Sequence, residues 1–177
     1  MAIRRARVED VKQIYEIIRS NPREVVPRSF PDILTQIDRF YVDADPEQPS
    51  VLRGVASWKV LPEQTDIENP ELWIEVISLS VRAEYQKLGI GSGLVKHMLR
   101  KLRALDPDKI ICLTFSPPFF TKLGFVEIPK AKILSKIYTG CINCTRYPGP
   151  TNCPEVAMEY VWKRRRPRKA KLPLAPV

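Results

Sequence analysis

A strand that runs into a glycine-spaced loop and straight on into a helix leaves few folds open to this chain. Residues 71–82 read as the strand, and Leu79-Ser80-Val81-Arg82-Ala83-Glu84-Tyr85-Gln86-Lys87-Leu88-Gly89-Ile90-Gly91-Ser92 carries it through the loop. Residues 91–105 then read as a helix. Leu94, Val95, Met98, Leu99, Leu102 and Leu105 share one side of it, while Lys96, Arg100, Lys101 and Arg103 mostly occupy the other. Asp106-Pro107-Asp108 stops the helix, and residues 109–115 (KIICLTF) read as a buried strand. A strand–helix–strand crossover of this kind implies a parallel pair. The first turn of the helix has free N–H groups and the positive end of its dipole, which together attract anions. Gly89 and Gly91 let a phosphate approach the backbone. The spacing is neither a Walker loop, which needs Gly-Lys-Ser/Thr, nor a G-x-G-x-x-G dinucleotide fingerprint. A pyrophosphate held by backbone amides suits it. Taken alone, the loop also reads as a glycine-rich turn with no ligand.

The other elements surround this unit. Residues 2–7 alternate as a strand, and Val11, Ile14, Tyr15, Ile17 and Ile18 follow at helical spacing. Pro22 and Pro27 bound a loop running from Arg23 to Arg28. Ser29 is placed to cap a second helix, with Asp32 in a capping-box-like position. Residues 40–43 and 51–61 read as strands. The second should pair antiparallel with 71–82 across a connection of about ten residues. Residues 117–123 form a short helix with Gly124 as its stop. Residues 125–128 and 155–162 are strands, separated by an irregular Cys- and Pro-rich insert at 129–154. This order predicts an α/β (α+β) fold with a mixed central sheet and helices on both faces. One domain should span residues 1–162, with a basic, disordered tail at 163–177.

That tail accounts for most of a formal charge of +9. Residues 163–177 carry seven basic residues and no acid, so the body holds 22 bases against 20 acids, or +2. A nucleic-acid-binding module working through the tail is therefore one reading, set against a nearly neutral body. The N-terminus lacks the apolar core of a secretory signal, and no stretch reaches the ~18 apolar residues of a membrane helix. A cytoplasmic protein with no membrane partner is expected. Either a monomer or a homodimer is compatible with the sequence.

Gln86-x-x-Gly89-x-Gly91 after an apolar strand resembles the acetyl-CoA loop of the GNAT N-acetyltransferase superfamily. Phe119-Phe120-Thr121-Lys122-Leu123-Gly124-Phe125 resembles that superfamily's helix-to-strand corner, and the order of elements matches over residues 2–162. The resemblance implies acetyl-CoA as co-substrate. It implies that the amides of Lys87, Leu88, Gly89, Ile90, Gly91 and Ser92, with Gln86 beside them, cradle its pyrophosphate. It implies that the backbone of Leu79 and Val81 holds the pantetheine arm where the fourth and fifth strands part. A narrower resemblance, to the short single-domain N-acetylglutamate synthases, is carried by several segments. These are Val26-Pro27-Arg28-Ser29, Leu113-Thr114, Cys141-Ile142-Asn143-Cys144, Cys153 and Glu155-Val156-Ala157-Met158. Those enzymes acetylate the α-amine of L-glutamate in arginine biosynthesis. The chain departs from their pattern at Ser135 (usually His), at Gly140 and Pro154 (usually Asp) and at Ile77 (usually basic).

Acetyl transfer needs a neutral amine, a donor for the developing oxyanion and a proton for the leaving thiolate. By resemblance, the N–H of Val81 serves the oxyanion. The tyrosine acid common in the superfamily is here Phe120, which has no proton to give; Ser116 or water can protonate the thiolate. Glu75, on the central strand, is the candidate base, acting through water; a salt-bridged carboxylate is its bland alternative. Arg28 matches a substrate-binding position of the resembled enzymes, and a guanidinium grips a carboxylate bidentately. Lys59 is a second substrate-binding candidate by placement alone. Another small amine, another amino acid or a protein lysine are the rival acceptors. Cys141, Cys144 and Cys153 leave two readings open, three ligands of a zinc site or a packed loop of thiols, with no metal needed for the reaction.

Overall fold

The computed structural model describes residues 2–62, 71–141, 144, 146, 147, 149 and 152–162. Seven strands form one sheet: β1 (Ala2–Arg5), β2 (Phe40–Ala44), β3 (Leu52–Val60), β4 (Trp73–Val81), β5 (Lys109–Thr114), β6 (Phe125–Glu127) and β7 (Val156–Tyr160). Their order across the sheet is β1-β2-β3-β4-β5-β7-β6. Among the described residues only β4 and β5 run parallel; every other neighbouring pair is antiparallel. The helices are α1 (Val11–Ser20), α2 (Phe30–Thr35), α3 (Ile90–Leu102) and α4 (Pro117–Thr121). The mixed sheet of the sequence expectation is present.

Strand alternation feeds cores on both faces of the sheet. Tyr41, Ala56, Ile74 and Val76 pack against Leu94, Val95, Met98 and Leu99 of α3. Phe40, Val42 and Val55 pack with Ile14, Ile17 and Ile18 of α1 and Ile33 of α2. Residues 40 and 42 thus serve one face and residue 41 the other, the period-two signature of a strand covered on both sides.

Local chemistry sets the helix starts. Asp10, buried before α1, accepts the Arg7 N–H at 2.7 Å and both Arg4 Nη groups at 2.6 and 2.9 Å. Burial works against its charge, but Arg4 and Arg7 outweigh burial and hold the carboxyl below the usual range. Ser29 Oγ accepts the Asp32 N–H at 3.2 Å and caps α2.

Two expectations change. The helix after the glycine loop ends at Leu102 in a 3₁₀ turn, so Leu105 is 47% exposed rather than part of the apolar face. The insert is not irregular throughout: Lys130–Ile133, Leu134–Lys136 and Ile137–Cys141 form successive helical turns. Ile133 anchors them, buried with Leu61, Trp73, Ile111 and Ala157. That tertiary contact has no local sequence signal. The expected tail, 163–177, lies outside the described residues.

Candidate active site

The site begins where β4 leaves β5. Their pairing covers only Trp73, Ile74 and Glu75 against Lys109, Ile110 and Ile111, and the strands then part. Just beyond, β4 bulges. Ser57 faces Ile77 and Val55 faces Ser80, so two residues of β4 oppose Ala56 alone. Ser78 takes a left-handed φ of 53° to make this fit. The extra residue reverses the phase of the ladder. Before the bulge Leu61 N–H donates to the Trp73 carbonyl at 2.9 Å; after it Arg82 N–H donates to the Arg53 carbonyl at 2.9 Å. Odd-numbered residues face β3 on one side of the bulge and even-numbered ones on the other. Alternation therefore turns the N–H groups of Leu79 and Val81 away from β3, into the gap that β5 has vacated. The Val81 carbonyl is occupied: Asn21 Nδ2 and Gln86 Nε2 donate to it at 3.3 and 3.2 Å.

The loop from β4 to α3 is built of backbone. Lys87 and Gly89 adopt φ of 63° and 80°. A Cβ at Gly89 would meet nothing within 4 Å, so glycine is needed there for its conformation rather than for clearance. The first hydrogen bond of α3 returns from Gly93 N–H to the Gly89 carbonyl. The amides of Ile90, Gly91 and Ser92 precede it and have no partner within the helix. Gln86 Nε2 also reaches Asn21 Oδ1 at 3.3 Å, tying the loop to the end of α1.

This loop opens on a cleft of about 1020 Å³. Gln86, Lys87, Gly89, Ile90, Gly91, Ser92, Leu79 and Val81 line it, together with Arg28, Lys59, Glu75 and Ser116. Of the candidate acetyl-CoA, catalytic and acceptor residues, only Leu88 is not on its wall, and it is 64% exposed; of the three late cysteines, Cys153 is not on it.

The far part of the cleft is built of charged side chains. Glu75, 2% exposed, sits between two ammonium groups: Lys136 Nζ is 2.9 Å from Oε1, and Lys59 Nζ is 3.2 Å from Oε2. Burial pushes the Lys59 amine below the ordinary lysine value, with Glu75 only partly offsetting it. Burial opposes the charge of Lys136 too, but there Glu75 prevails and the pKa is raised. Arg28 donates from Nε to Ser78 Oγ and from Nη1 to Asp32 Oδ2, each at 2.7 Å, so it is braced against the bulge itself. Burial pushes the Glu155 carboxyl up, and Cys153 Sγ lies 3.5 Å from its Oε2. Arg146 stacks on Phe115, 4.6 Å from the ring centroid, and its Nη2 donates to the Arg23 carbonyl. Ser116 precedes α4 and its N–H donates to Thr114 Oγ1 at 2.9 Å.

Sequence alone points to Glu75 as a base reached through water. Both its oxygens face ammonium groups and the side chain is closed from solvent, so a direct water route is not what the geometry offers. Phe120, 6% exposed, packs edge-on against Phe119 and Phe125 at 5.1 and 5.2 Å, a core role. Sequence reasoning misses Lys136, Arg146, Asn21 and Ser78. None has a local signal, because each acquires its role from a partner far away in the chain.

Cys141, Cys144 and Cys153 are free thiols, half-buried, and Cys144 N–H donates to the Cys141 carbonyl at 3.2 Å. Burial pushes the Cys141 and Cys153 thiols up. Among the described residues no group of three or more His, Cys, Asp and Glu is arranged to hold a metal ion. Among the same residues, no helix is long and apolar enough to cross a membrane.

One cleft thus joins uncommitted backbone amides, suited to an anionic cofactor arm, to a charged subsite suited to a polar second substrate. Comparison with known proteins agrees. An uncharacterized N-acetyltransferase of Chlorobaculum tepidum is 28% identical over 158 residues, 88% of this chain and 93% of that protein. An amino-acid acetyltransferase of Mycobacterium tuberculosis is 23% identical over 137 residues, 77% of this chain and 74% of that one. A Mycobacterium tuberculosis protein solved in complex with CoA superposes with a TM-score of 0.73 at 20% identity, over 92% of this chain and 99% of that one. The N-acetylglutamate synthase of Neisseria gonorrhoeae, complexed with coenzyme A and N-acetyl-glutamate, gives 0.69 at 19% identity, over 90% of this chain and 34% of that one. At these identities the two superpositions speak for the fold. The profile of the acetyltransferase (GNAT) family matches residues 11–125, from α1 to the start of β6, and the chain belongs to that family.

Proposed function

We propose that this N-acetyltransferase takes acetyl-CoA as donor and L-glutamate as acceptor, and forms N-acetyl-L-glutamate. The observation that carries the reading is the division of the cleft: bare amides at the head of α3 and along β4, then Arg28 paired with Asp32, and Lys59 and Lys136 on Glu75, with Glu155 on the same wall. Among the related proteins, the amino-acid acetyltransferase of Mycobacterium tuberculosis supports an amino acid as acceptor, and the N-acetylglutamate synthase of Neisseria gonorrhoeae supports glutamate.

The residues present fit acetyl-CoA. The amides of Ile90, Gly91 and Ser92 have no partner within α3, a Cβ at Gly89 would meet nothing within 4 Å, and the helix dipole favours the charge of a pyrophosphate. The amides of Leu79 and Val81 would hold the pantetheine arm as a strand beside β4, and the Val81 N–H would donate to the thioester oxygen as it gains charge. Gln86 supports the loop through the Val81 carbonyl.

Arg28 would grip a carboxylate of the acceptor. Its Nε and Nη1 are committed to Ser78 and Asp32, leaving Nη2 without a partner among the described residues. Lys59 is the more exposed of the two lysines on Glu75, with side-chain exposures of 24% for Lys59 and 14% for Lys136. It would contact the acceptor and relay its proton: Lys59 gives a proton to Glu75 and takes one from the acceptor ammonium. The neutral amine then attacks the thioester carbonyl, the C–S bond breaks, and the proton that the nitrogen sheds on becoming an amide passes through Ser116 or solvent to the departing thiolate.

An acceptor panel tests the reading. With acetyl-CoA present, thiol release should be rapid with L-glutamate and at least ~100-fold slower with putrescine or a lysine peptide, since an unpaired cation facing these bases is repelled. Turnover with another amine and none with glutamate would sink the acceptor assignment. An unchanged melting temperature in saturating acetyl-CoA would sink the donor assignment.

A further inference from the structure

Arg146 is a further cation on the wall of the cleft. It reaches the cleft from the Cys-rich insert, where stacking and one hydrogen bond hold it. Its guanidinium lies on Phe115 at 4.6 Å and beside Tyr147 at 5.7 Å. Its Nη2 donates to the Arg23 carbonyl, on the loop that also carries Arg28. Its Nη1 is buried, has no hydrogen-bond partner, and belongs to a residue on the wall of the cleft. A charged donor buried without an acceptor is strongly disfavoured unless something supplies that acceptor.

The nearby acids do not supply it. Glu75 is taken by Lys59 and Lys136. Glu155 feels the charge of Arg146, yet it makes no ion pair with it, and its polar contact is to Cys153. What remains is a planar guanidinium, on a residue that lines the cleft, with one donor that the protein leaves unpaired. That is the geometry suited to a carboxylate.

We propose that Arg146 is the receptor for a second carboxylate of the acceptor, so that Arg28 and Arg146 between them read a dicarboxylate. This rests on the acceptor reading above and adds the residue that sets its specificity. A monocarboxylate amine satisfies one guanidinium and leaves the other's buried donor unpaired. The dicarboxylate satisfies both.

Binding of glutarate, which has both carboxylates and no amine, tests this apart from turnover. Calorimetry on the CoA-saturated protein should show glutarate binding at least ~10-fold tighter than butyrate, as expected for one added charge-assisted pair. Arg146→Gln should abolish that difference. Its melting temperature, and its stabilisation by CoA, report whether it is folded. Should Arg146→Gln not fold, Arg146→Lys, which keeps the charge and loses the fork, should still weaken glutarate by ~3-fold or more. Unaltered glutarate affinity in the folded variant overturns the proposal, and so does a wild type that binds butyrate as well as glutarate. Glutarate binding through Arg146 with no acetylation of glutamate would instead break the acceptor reading and leave this subsite standing.

Discussion

The donor end of the cleft is made of backbone, and the acceptor end is made of side chains. At the donor end, Leu79, Val81 and the residues from Lys87 to Ser92 offer amides whose positions follow from a bulge and a helix start. Their side chains hardly matter. At the acceptor end, Arg28, Lys59, Glu75, Lys136 and Arg146 come from a loop, two strands and the insert, and they meet only in the folded chain. One end is robust to substitution except where the backbone needs glycine. The other depends on a balance of buried charge, which a single change upsets.

The largest expected effect lies at the acceptor end. Glu75→Gln removes the buried counter-charge of two half-buried ammonium groups, a loss on the order of 3–5 kcal/mol. For a chain of this size that corresponds to a fall of roughly 6–20 °C in melting temperature. A variant that melts like the wild type would show that the lysines do not need Glu75.

The donor end should break differently. Gly89→Val forces a β-branched residue into φ of 80° although it has room for the side chain. Steady-state kinetics should show the KM for acetyl-CoA raised by ~10-fold or more, with the acceptor KM little changed. If both constants move together, the two ends are not separable.

Arg28→Ala is the converse. The acceptor KM should rise by about 10-fold while the acetyl-CoA KM stays within about twofold.

The smallest effect is one of pH. Burial pushes the Glu155 carboxyl up from 4.5, so the folded chain keeps this proton where the unfolded chain has lost it. The resulting stabilisation is complete below 4.5 and disappears as the pH rises through the folded value. Glu155→Gln removes that loss. Melting curves should show the variant gaining on the wild type from about pH 4.5 upward and then levelling off. A difference that is flat with pH would mean that Glu155 titrates alike in both states.

The same division decides what the sequence discloses. The donor end is contiguous: the residues from Leu79 to Ser92 carry their own geometry, and Gly89 announces its positive φ. The Ser29 cap and the Gly124 stop, φ 96°, are equally local. The bulge is not, because Ser78 adopts a left-handed conformation that no glycine or asparagine signals. Glu75 is visible as an acid on the central strand, but its burial between Lys59 and Lys136 is not. Lys136 stands 61 positions away in the helical part of an insert that reads as irregular. Gly140 shows the same limit: a Cβ there would lie 3.0 Å from Lys136 Nζ, a reason for glycine that only the folded contact reveals.

The central claim is that the charged end of the cleft selects an acceptor with two carboxylates for acetylation at its amine. A single competition reaction tests it most directly. Equal concentrations of L-glutamate, L-glutamine, L-lysine and putrescine compete for limiting acetyl-CoA, and mass spectrometry counts the products. The account predicts N-acetylglutamate as the dominant product, ahead of the glutamine product by ~10-fold or more. Acetyl groups collected mainly by putrescine, lysine or glutamine would contradict it.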